Sequence, residues 1–108
     1  MINQCVLVGR VKELPEMKTT PTGIAMASMV VEVDRSFRNS DGTQSVDEFK
    51  VILWRGIAET CVNCCELGSI VGIKGRLQGT RFENKNKEIF YNTDIIAEKV
   101  SFLTSNGE

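Results

Sequence analysis

The chain has 108 residues, of which 42% are hydrophobic and 25% are charged, and its formal net charge is −1. A chain of this length forms one domain with one core, and it has no basic excess that would attract nucleic acid by bulk charge. Histidine is absent, which excludes a Ser–His or Cys–His nucleophile within this chain and removes the commonest metal ligand.

The sequence does not open on a charged segment followed by an apolar run, and it contains no apolar stretch long enough to span a bilayer. These absences argue against secretion and membrane insertion, so we expect a cytoplasmic protein. Its four cysteines, Cys5, Cys61, Cys64 and Cys65, are then expected to be free thiols, because structural disulfides are rare in that compartment.

The first strand is predicted over residues 1–11, which are mostly apolar and β-branched. Gly9 lies inside this strand and indicates a bulge or a close backbone approach. A loop at Pro15 and a turn over residues 20–23, with proline second and glycine fourth, lead into a second strand at residues 24–35.

The third strand is predicted over residues 47–54, after a hairpin signal of Asp-Gly at residues 41–42. Strict alternation directs Phe49 and the apolar residues in phase with it into a core, and it leaves Lys50 and Trp54 on the opposite face. The strand alone leaves two interpretations of Trp54 open. It is either a cap on the core or a platform on which nucleic-acid bases stack beside a cation.

The one helix is predicted over residues 57–67, with Gly68 as its C-terminal cap. Its inner face is expected to carry Ile57, Ala58, Cys61, Cys65 and, at the margin, Cys64. Two further strands are predicted over residues 69–82 and 90–100, and a polar hairpin tip at residues 83–88 joins them.

Five strands, with a single helix between the third and the fourth, predict an all-β fold. The closest match is a five-stranded Greek-key barrel of the OB type. We expect residues 1–103 to form this domain and residues 104–108 to form a short frayed end.

Five segments, in this order and spacing, resemble the bacterial single-stranded DNA-binding protein family over residues 1–103. They are MINQCVLVGRV, TPTGIAMASMVVEV, SFR, LWRGIAE and GSIVGIKGRLQ. The resemblance implies an OB fold that binds single-stranded DNA with little sequence preference, without catalysis or a cofactor, usually as a homotetramer. It also implies a role in protecting DNA during replication, recombination or repair, in the cytoplasm at the nucleoid.

The resemblance assigns base stacking to Phe37, Trp54 and Phe82. Each aromatic has cations nearby in the sequence, which is the pattern expected where bases stack and phosphates are neutralised. These cations are Arg35 and Arg38, Lys50 and Arg55, and Arg76 and Arg81. For each phenylalanine taken alone, core packing is the alternative interpretation.

The sequence departs from the family pattern on the expected DNA-facing side. Glu48 stands where the family often has a fourth aromatic, while Phe49 has the parity of the core. The DNA-facing positions of the fourth strand are Arg76, Gln78, Thr80 and Phe82. Some basic residues typical of the family are therefore absent, and we expect weaker binding or a smaller site than in a typical member.

The family usually carries a long disordered tail whose acidic tip recruits other enzymes. This sequence ends at Glu108. We expect either a shortened form of a longer protein or a naturally tailless member, and we expect no recruitment of partners through a tail.

The spacing of Cys61 and Cys64 forms a C-x-x-C motif, which in isolation suggests zinc or redox chemistry. Zinc normally takes four N or S ligands, only Cys5 could complete the set, and the adjacent Cys64 and Cys65 would diverge by about 100° on a helix. We therefore expect no metal site. The glycine-rich run at residues 72–79 lies on a strand and lacks the helix of a phosphate-binding loop.

An alternative function is that of an OB-fold accessory replication protein of the primosomal type, which acts mainly through protein contacts. Trp54 separates the two functions because it is the only indole, and a stacked base should quench its fluorescence. The resemblance alone supports an oligomer, a tetramer or a dimer, with the edge of the first strand as the pairing candidate.

Overall fold

A computed structural model describes residues 1–103 of the chain. Residues 104–108, expected to form a frayed end, lie outside the described residues. The elements in order are β1 (Cys5–Glu13), β2 (Lys18–Thr19), β3 (Ala25–Arg38), β4 (Gln44–Trp54), α1 (Arg55–Cys64), β5 (Ile70–Glu83) and β6 (Ile89–Phe102). The five long strands are the predicted ones, with shifted ends, and the two-residue β2 was not predicted.

The strands form a closed barrel. Their order in the sheet is β1-β5-β6-β4-β3-β2, and a further pairing of β1 with β3 joins the two sides. All pairings are antiparallel except that of β4 with β6. A five-stranded barrel with its helix between the third and fourth long strands confirms the predicted OB-type fold.

The core fills the barrel, and the alternation of the strands determines which side chains enter it. The buried cluster consists of Val11, Ala27, Met29, Val31, Val51, Leu53, Ala58, Cys61, Val71, Ile73 and Ala97. Phe49 packs against this cluster, which confirms the parity predicted for β4. Burial of each aliphatic side chain contributes about 1.5–3 kcal/mol.

Barrel closure depends on β1, which pairs with two different strands along its length. This strand pairs with β5 through Arg10 and then with β3 from Arg10 onward. A Cβ atom at Gly9 would lie 2.5 Å from the carbonyl oxygen of Glu32 on β3, a distance that no side chain allows. The close backbone approach predicted at Gly9 is confirmed.

The helix begins and ends earlier than predicted. Cys65, directly after α1, has extended backbone angles of φ −74° and ψ 139°, so Gly68 is not the helix cap and that prediction is wrong. Gly68 instead takes φ 83° in the following turn, where its N–H donates to the carbonyl of Val11 at 2.9 Å. No helix within residues 1–103 has the length and apolar character needed to cross a membrane.

The inner face of α1 holds Ala58 and Cys61, both fully buried. Cys65 is half-buried, and its Sγ lies 3.9 Å from the Sδ of Met29. Cys64 is exposed, so its marginal assignment to the inner face is wrong. All four cysteines are free thiols.

Beyond the barrel, β5 and β6 continue as a two-stranded ribbon. A register shift between Lys74 and Gly75 lets the strands bend where the ribbon leaves the barrel. A Cβ atom at Gly75 would collide with the carbonyl oxygen of Ile96, whereas one at Gly79 would meet no heavy atom within 4 Å. Only the first of these two glycines is therefore required by packing.

Gly75→Ala is expected to lower the free energy of unfolding by about 1–3 kcal/mol, because the added methyl group overpacks the contact between β5 and β6. Gly79→Ala, on the same strand, is the matched control and should stay within about 0.5 kcal/mol of wild type. Urea unfolding followed by circular dichroism measures both changes. Equal losses in the two variants would contradict the close approach at Gly75.

Candidate nucleic-acid interface

Trp54 lies on the outside of the barrel. In an antiparallel pair, residues opposite each other share a face. Leu53 is opposite Ala27, and both are fully buried in the core, whereas Trp54 is opposite Met26 and has the other parity. The register therefore favours the platform interpretation of Trp54 over the core cap.

The face that carries Trp54 continues across β4, β6 and β5. Ile52 of β4 is paired with Ile96 of β6, and Ile96 is in turn paired with Arg76 of β5. Lys50 has the same parity as Trp54 and is exposed. We call this surface the outer face, and it brings Trp54, Lys50 and Arg76 onto one side of the sheet.

The ribbon extends the outer face to Phe82. From Arg76 to Phe82 the register of β5 and β6 has no shift, so alternate residues keep the side of Arg76. Phe82 is opposite Phe90, their ring centroids are 5.5 Å apart, and the rings are stacked at 23°. Phe82 is 50% exposed and Phe90 is 43% exposed, so neither phenylalanine belongs to the core.

Two of the predicted cations lie elsewhere. Arg35 forms an ion pair with Asp47, with Nη2 donating to Oδ1 at 2.9 Å. Asp47 has the parity of Phe49, opposite to that of the outer face. Arg81 is opposite Tyr91 on the other side of the ribbon. The structure therefore does not bring these two arginines together with Trp54.

The pairing of Arg35 with Asp47 has an electrostatic consequence. The hydrogen bonds from the guanidinium hold the pKa of the Asp47 carboxyl below its usual value and raise the pKa of Arg35. A guanidinium already bound to a carboxylate must lose that partner before it can bind a phosphate. Arg35 is thus less available to an anionic ligand than Lys50.

The remaining predicted residues flank the outer face. Phe37 is 62% exposed and lies in the irregular end of β3, between the last two pairs that β3 makes with β4. Arg38 follows it and donates from Nη1 to the carbonyl of Gly42 at 3.3 Å. Arg55 directly follows Trp54 and has φ 53°, a left-handed conformation, at the corner between β4 and α1.

Glu48 lies on the outer face, as predicted, and it is paired. Its carboxylate is 2.9 Å from the Nζ of Lys12, and this contact raises the pKa of Lys12. Next to it, Arg10 bridges Glu32 at 3.0 Å and Asp34 at 2.6 Å. These five residues form an ion-pair network with more acidic than basic groups on the side of the outer face built by β1 and β3.

Phe90 is a possible site residue that the sequence pattern does not indicate. It lies two residues beyond the predicted polar tip at residues 83–88, and the pattern places it only at the start of a strand. Phe82 and Phe90 are equidistant from Asn86 in the sequence. A hairpin centred on Asn86 pairs them, and that symmetry is the signal that could have identified Phe90.

The hairpin tip is fixed by side-chain hydrogen bonds. The Oδ1 of Asn84 accepts from the backbone N–H groups of Asn86 and Glu88, each at 2.9 Å. Lys87 takes φ 63° to close the turn. Lys85 and Lys87 therefore add two exposed cations at the end of the ribbon, beyond Phe82.

Within residues 1–103, no group of three or more Cys, Asp or Glu side chains is placed to hold a metal ion. Beside the carboxylates of Glu48 and Asp94, the outer face offers aromatic rings, cations and uncharged polar groups. These are the groups that contact bases and phosphates in single-stranded nucleic acid.

Comparisons with known proteins agree with this description. The model of the single-strand binding protein family matches residues 2–103. "Single-stranded DNA-binding protein 3" of Listeria innocua is 40% identical over 105 residues, covering 97% of this chain and 66% of the relative. "Single-stranded DNA-binding protein A" of Bacillus subtilis is 39% identical over 103 residues, covering 95% of this chain and 60% of the relative.

A third relative, "Single-stranded DNA-binding protein" of Lactiplantibacillus plantarum, is 38% identical over 108 residues, covering 100% of this chain and 54% of the relative. The chain thus spans between 54% and 66% of the length of these three proteins. Their names do not support the alternative of an accessory replication protein.

Proposed function

The chain belongs to the single-strand binding protein family, and from this premise we propose that it binds single-stranded DNA with little sequence preference. By covering exposed strands it protects them during replication, recombination or repair, and it catalyses no reaction. The observation that carries the proposal is the continuity of the outer face from Trp54 through Arg76 to Phe82.

Stacking provides the contact that does not depend on sequence, because every base has a π-face. Trp54 stands at one end of the outer face and Phe82 at the other, and Phe37 is exposed on a neighbouring hairpin. Between the two ends the ribbon presents Gln78 and Thr80 on β5, with Asp94 and Asn92 opposite them on β6. A strand laid along this face meets rings at its ends and polar groups between them.

Phosphate neutralisation is local, since the whole chain has a net charge of −1. Lys50 and Arg76 are on the outer face, with Arg38 and Arg55 at its margins, and none of them forms an ion pair within residues 1–103. The acidic network around Glu48 borders the same face. The proposed DNA path therefore runs from β4 over β6 to β5 rather than over β1 and β3.

We also propose that the protein acts in the bacterial cytoplasm as a homo-oligomer, a tetramer in the first instance and a dimer as the alternative. Val6 and Val8 of β1 are exposed, and they line a shallow apolar depression with Leu103. Apolar side chains grouped in this way mark a surface that another chain covers. The mass measured in solution by light scattering distinguishes monomer, dimer and tetramer.

Trp54→Ala is expected to weaken binding to oligo(dT) by about 1–3 kcal/mol, the usual contribution of one stacked base. Anisotropy of a labelled oligonucleotide measures the affinity of both proteins, because the variant has no indole. Trp54→Phe is the matched control and should retain most of the affinity, since it keeps an aromatic ring.

The wild-type protein supplies the direct test of the proposed function. Oligo(dT) should quench the fluorescence of Trp54, and more weakly at high salt than at low salt. Absence of both quenching and binding at low salt would exclude strand coating as the function. Binding without quenching, together with unchanged affinity of Trp54→Ala, would return Trp54 to a structural role.

Lys50→Gln should make the dependence of binding on salt less steep by about 0.7 in log Kd against log salt, as expected for the loss of one phosphate contact on a single strand. Arg35→Gln is the comparison variant, because Arg35 is already bound to Asp47. Its slope should change less than that of Lys50→Gln. A larger change for Arg35→Gln would show that the ion pair opens when DNA binds.

Glu48→Gln should strengthen binding and make the salt dependence steeper by about 0.7. The substitution removes a negative charge from the outer face and releases Lys12, now 2.9 Å from the carboxylate, to reach a phosphate. Glu59→Gln on the exposed side of α1 removes the same charge away from this face and serves as the control. Equal gains in both variants would indicate an effect of net charge alone.

A further inference from the structure

We propose that Phe90 is a second base-stacking ring of the ribbon, and that Phe82 and Phe90 together form a platform for two bases. The inference rests on the proposed function, since it extends the same surface. It assigns a binding role to a residue that the sequence pattern placed only at the start of a strand.

The position of Phe90 in the ribbon supports the proposal. Phe90 is the direct partner of Phe82 in the ladder between β5 and β6, so both side chains project from the same side of the ribbon. That side is continuous with Arg76 and, through Ile96 and Ile52, with the side of Trp54. A DNA strand that reaches Phe82 along this face therefore also reaches Phe90.

The solvent exposure of the Phe90 side chain also supports it. Phe90 leaves 43% of its surface open to solvent although it is a large apolar side chain. The ribbon around it is exposed on both strands, so no core lies beneath the ring for it to fill. Its principal aromatic contact is Phe82, at a centroid distance of 5.5 Å.

The relative arrangement of the Phe82 and Phe90 rings is the third observation in its favour. They are stacked at an interplanar angle of 23°, so one face of each ring is turned towards the other ring, and each ring still leaves 43% or more of its surface exposed. A base can stack on the open face of each ring, which gives two stacking positions where a lone Phe82 would give one. Because the strand ladder and the mutual contact hold both rings in place, little conformational entropy is lost when bases bind.

The acidic network supplies a reason for a platform at this end of the face. The outer face lacks an aromatic on β4 at Glu48, where a carboxylate paired to Lys12 stands instead. The ribbon instead carries two aromatic rings, which lie near the exposed Lys85 and Lys87. The second ring thus adds stacking surface on the part of the outer face that lies away from the ion-pair network around Glu48.

Tyr91 shows that exposure alone does not define the platform. It is 78% exposed, more than either phenylalanine. It pairs with Arg81 and projects from the other side of the ribbon. A strand on the outer face cannot stack on it, so Tyr91 is a matched aromatic control one residue away from Phe90.

The experiment measures the affinity of the full chain for labelled oligo(dT) by anisotropy at fixed salt, for wild type and four variants. Phe90→Ala and Phe90→Leu should each weaken binding by about 5- to 150-fold, the range for one stacked base. Phe90→Tyr should stay close to wild type because it keeps the ring, and Tyr91→Ala should stay within about twofold of wild type. Urea unfolding of each variant shows whether the fold is retained.

The pattern across the variants separates stacking from packing. Wild-type affinity in Phe90→Leu would overturn the proposal, since leucine would then support Phe82 as well as a ring does. Wild-type affinity in Phe90→Ala, or an equal loss in Tyr91→Ala, would also overturn it. If wild type itself fails to bind oligo(dT), the proposed function falls together with this inference. If wild type binds and only the Phe90 variants behave contrary to expectation, the proposed function stands.

Discussion

Closure of the barrel depends on one strand, β1, which pairs with β5 and with β3 at the same time. Gly9 lies next to the point where β1 changes partners, and there the backbone of β3 leaves no room for a side chain. Once the barrel is closed, every residue of a strand faces either the core or the outside. The burial of Val51 and Leu53 therefore places Lys50 and Trp54 outside. The candidate interface is a direct consequence of how the core is packed.

Like the aromatic rings, the charged side chains are grouped on particular parts of the surface. The protein has slightly more acidic than basic groups overall, and several of its cations are bound to carboxylates on their own surface. Arg10 and Lys12 are paired with carboxylates on the acidic side of the outer face, and Arg35 is held by Asp47. Under the proposed function, phosphates contact the cations along and beside the outer face that form no ion pair within residues 1–103. Binding of this proposed kind combines modest electrostatic attraction with stacking, instead of relying on bulk positive charge.

The ribbon is the part of the fold that is least constrained by the core and most exposed to a ligand. Its base is held by the close approach of Gly75 to the backbone of Ile96, and its tip is fixed by the side chain of Asn84. Between these two points the ladder runs without a shift, so Phe82 and Phe90 stay opposite each other. With stacked rings on one side and Tyr91 on the other, the ribbon presents two chemically different surfaces from a single hairpin.

The sequence by itself determined the number and order of the long strands, the position of the helix between them, and the inward direction of Phe49. Alternation and turn residues are local, and they report directly which side chains a half-buried strand must hide. The sequence also identified Trp54, Phe82 and Glu48 as outward-facing residues, because their parity follows from the same pattern.

Only the tertiary structure decided which of these residues share a surface. Alternation along β5 already separates Arg81 from Phe82. Strand order and register, however, depend on contacts far apart in the chain, so the ion pair of Arg35 with Asp47 could not be read from spacing. The pairing of Phe90 with Phe82 was likewise decided by the register of β5 against β6, which the hairpin at Asn84 sets.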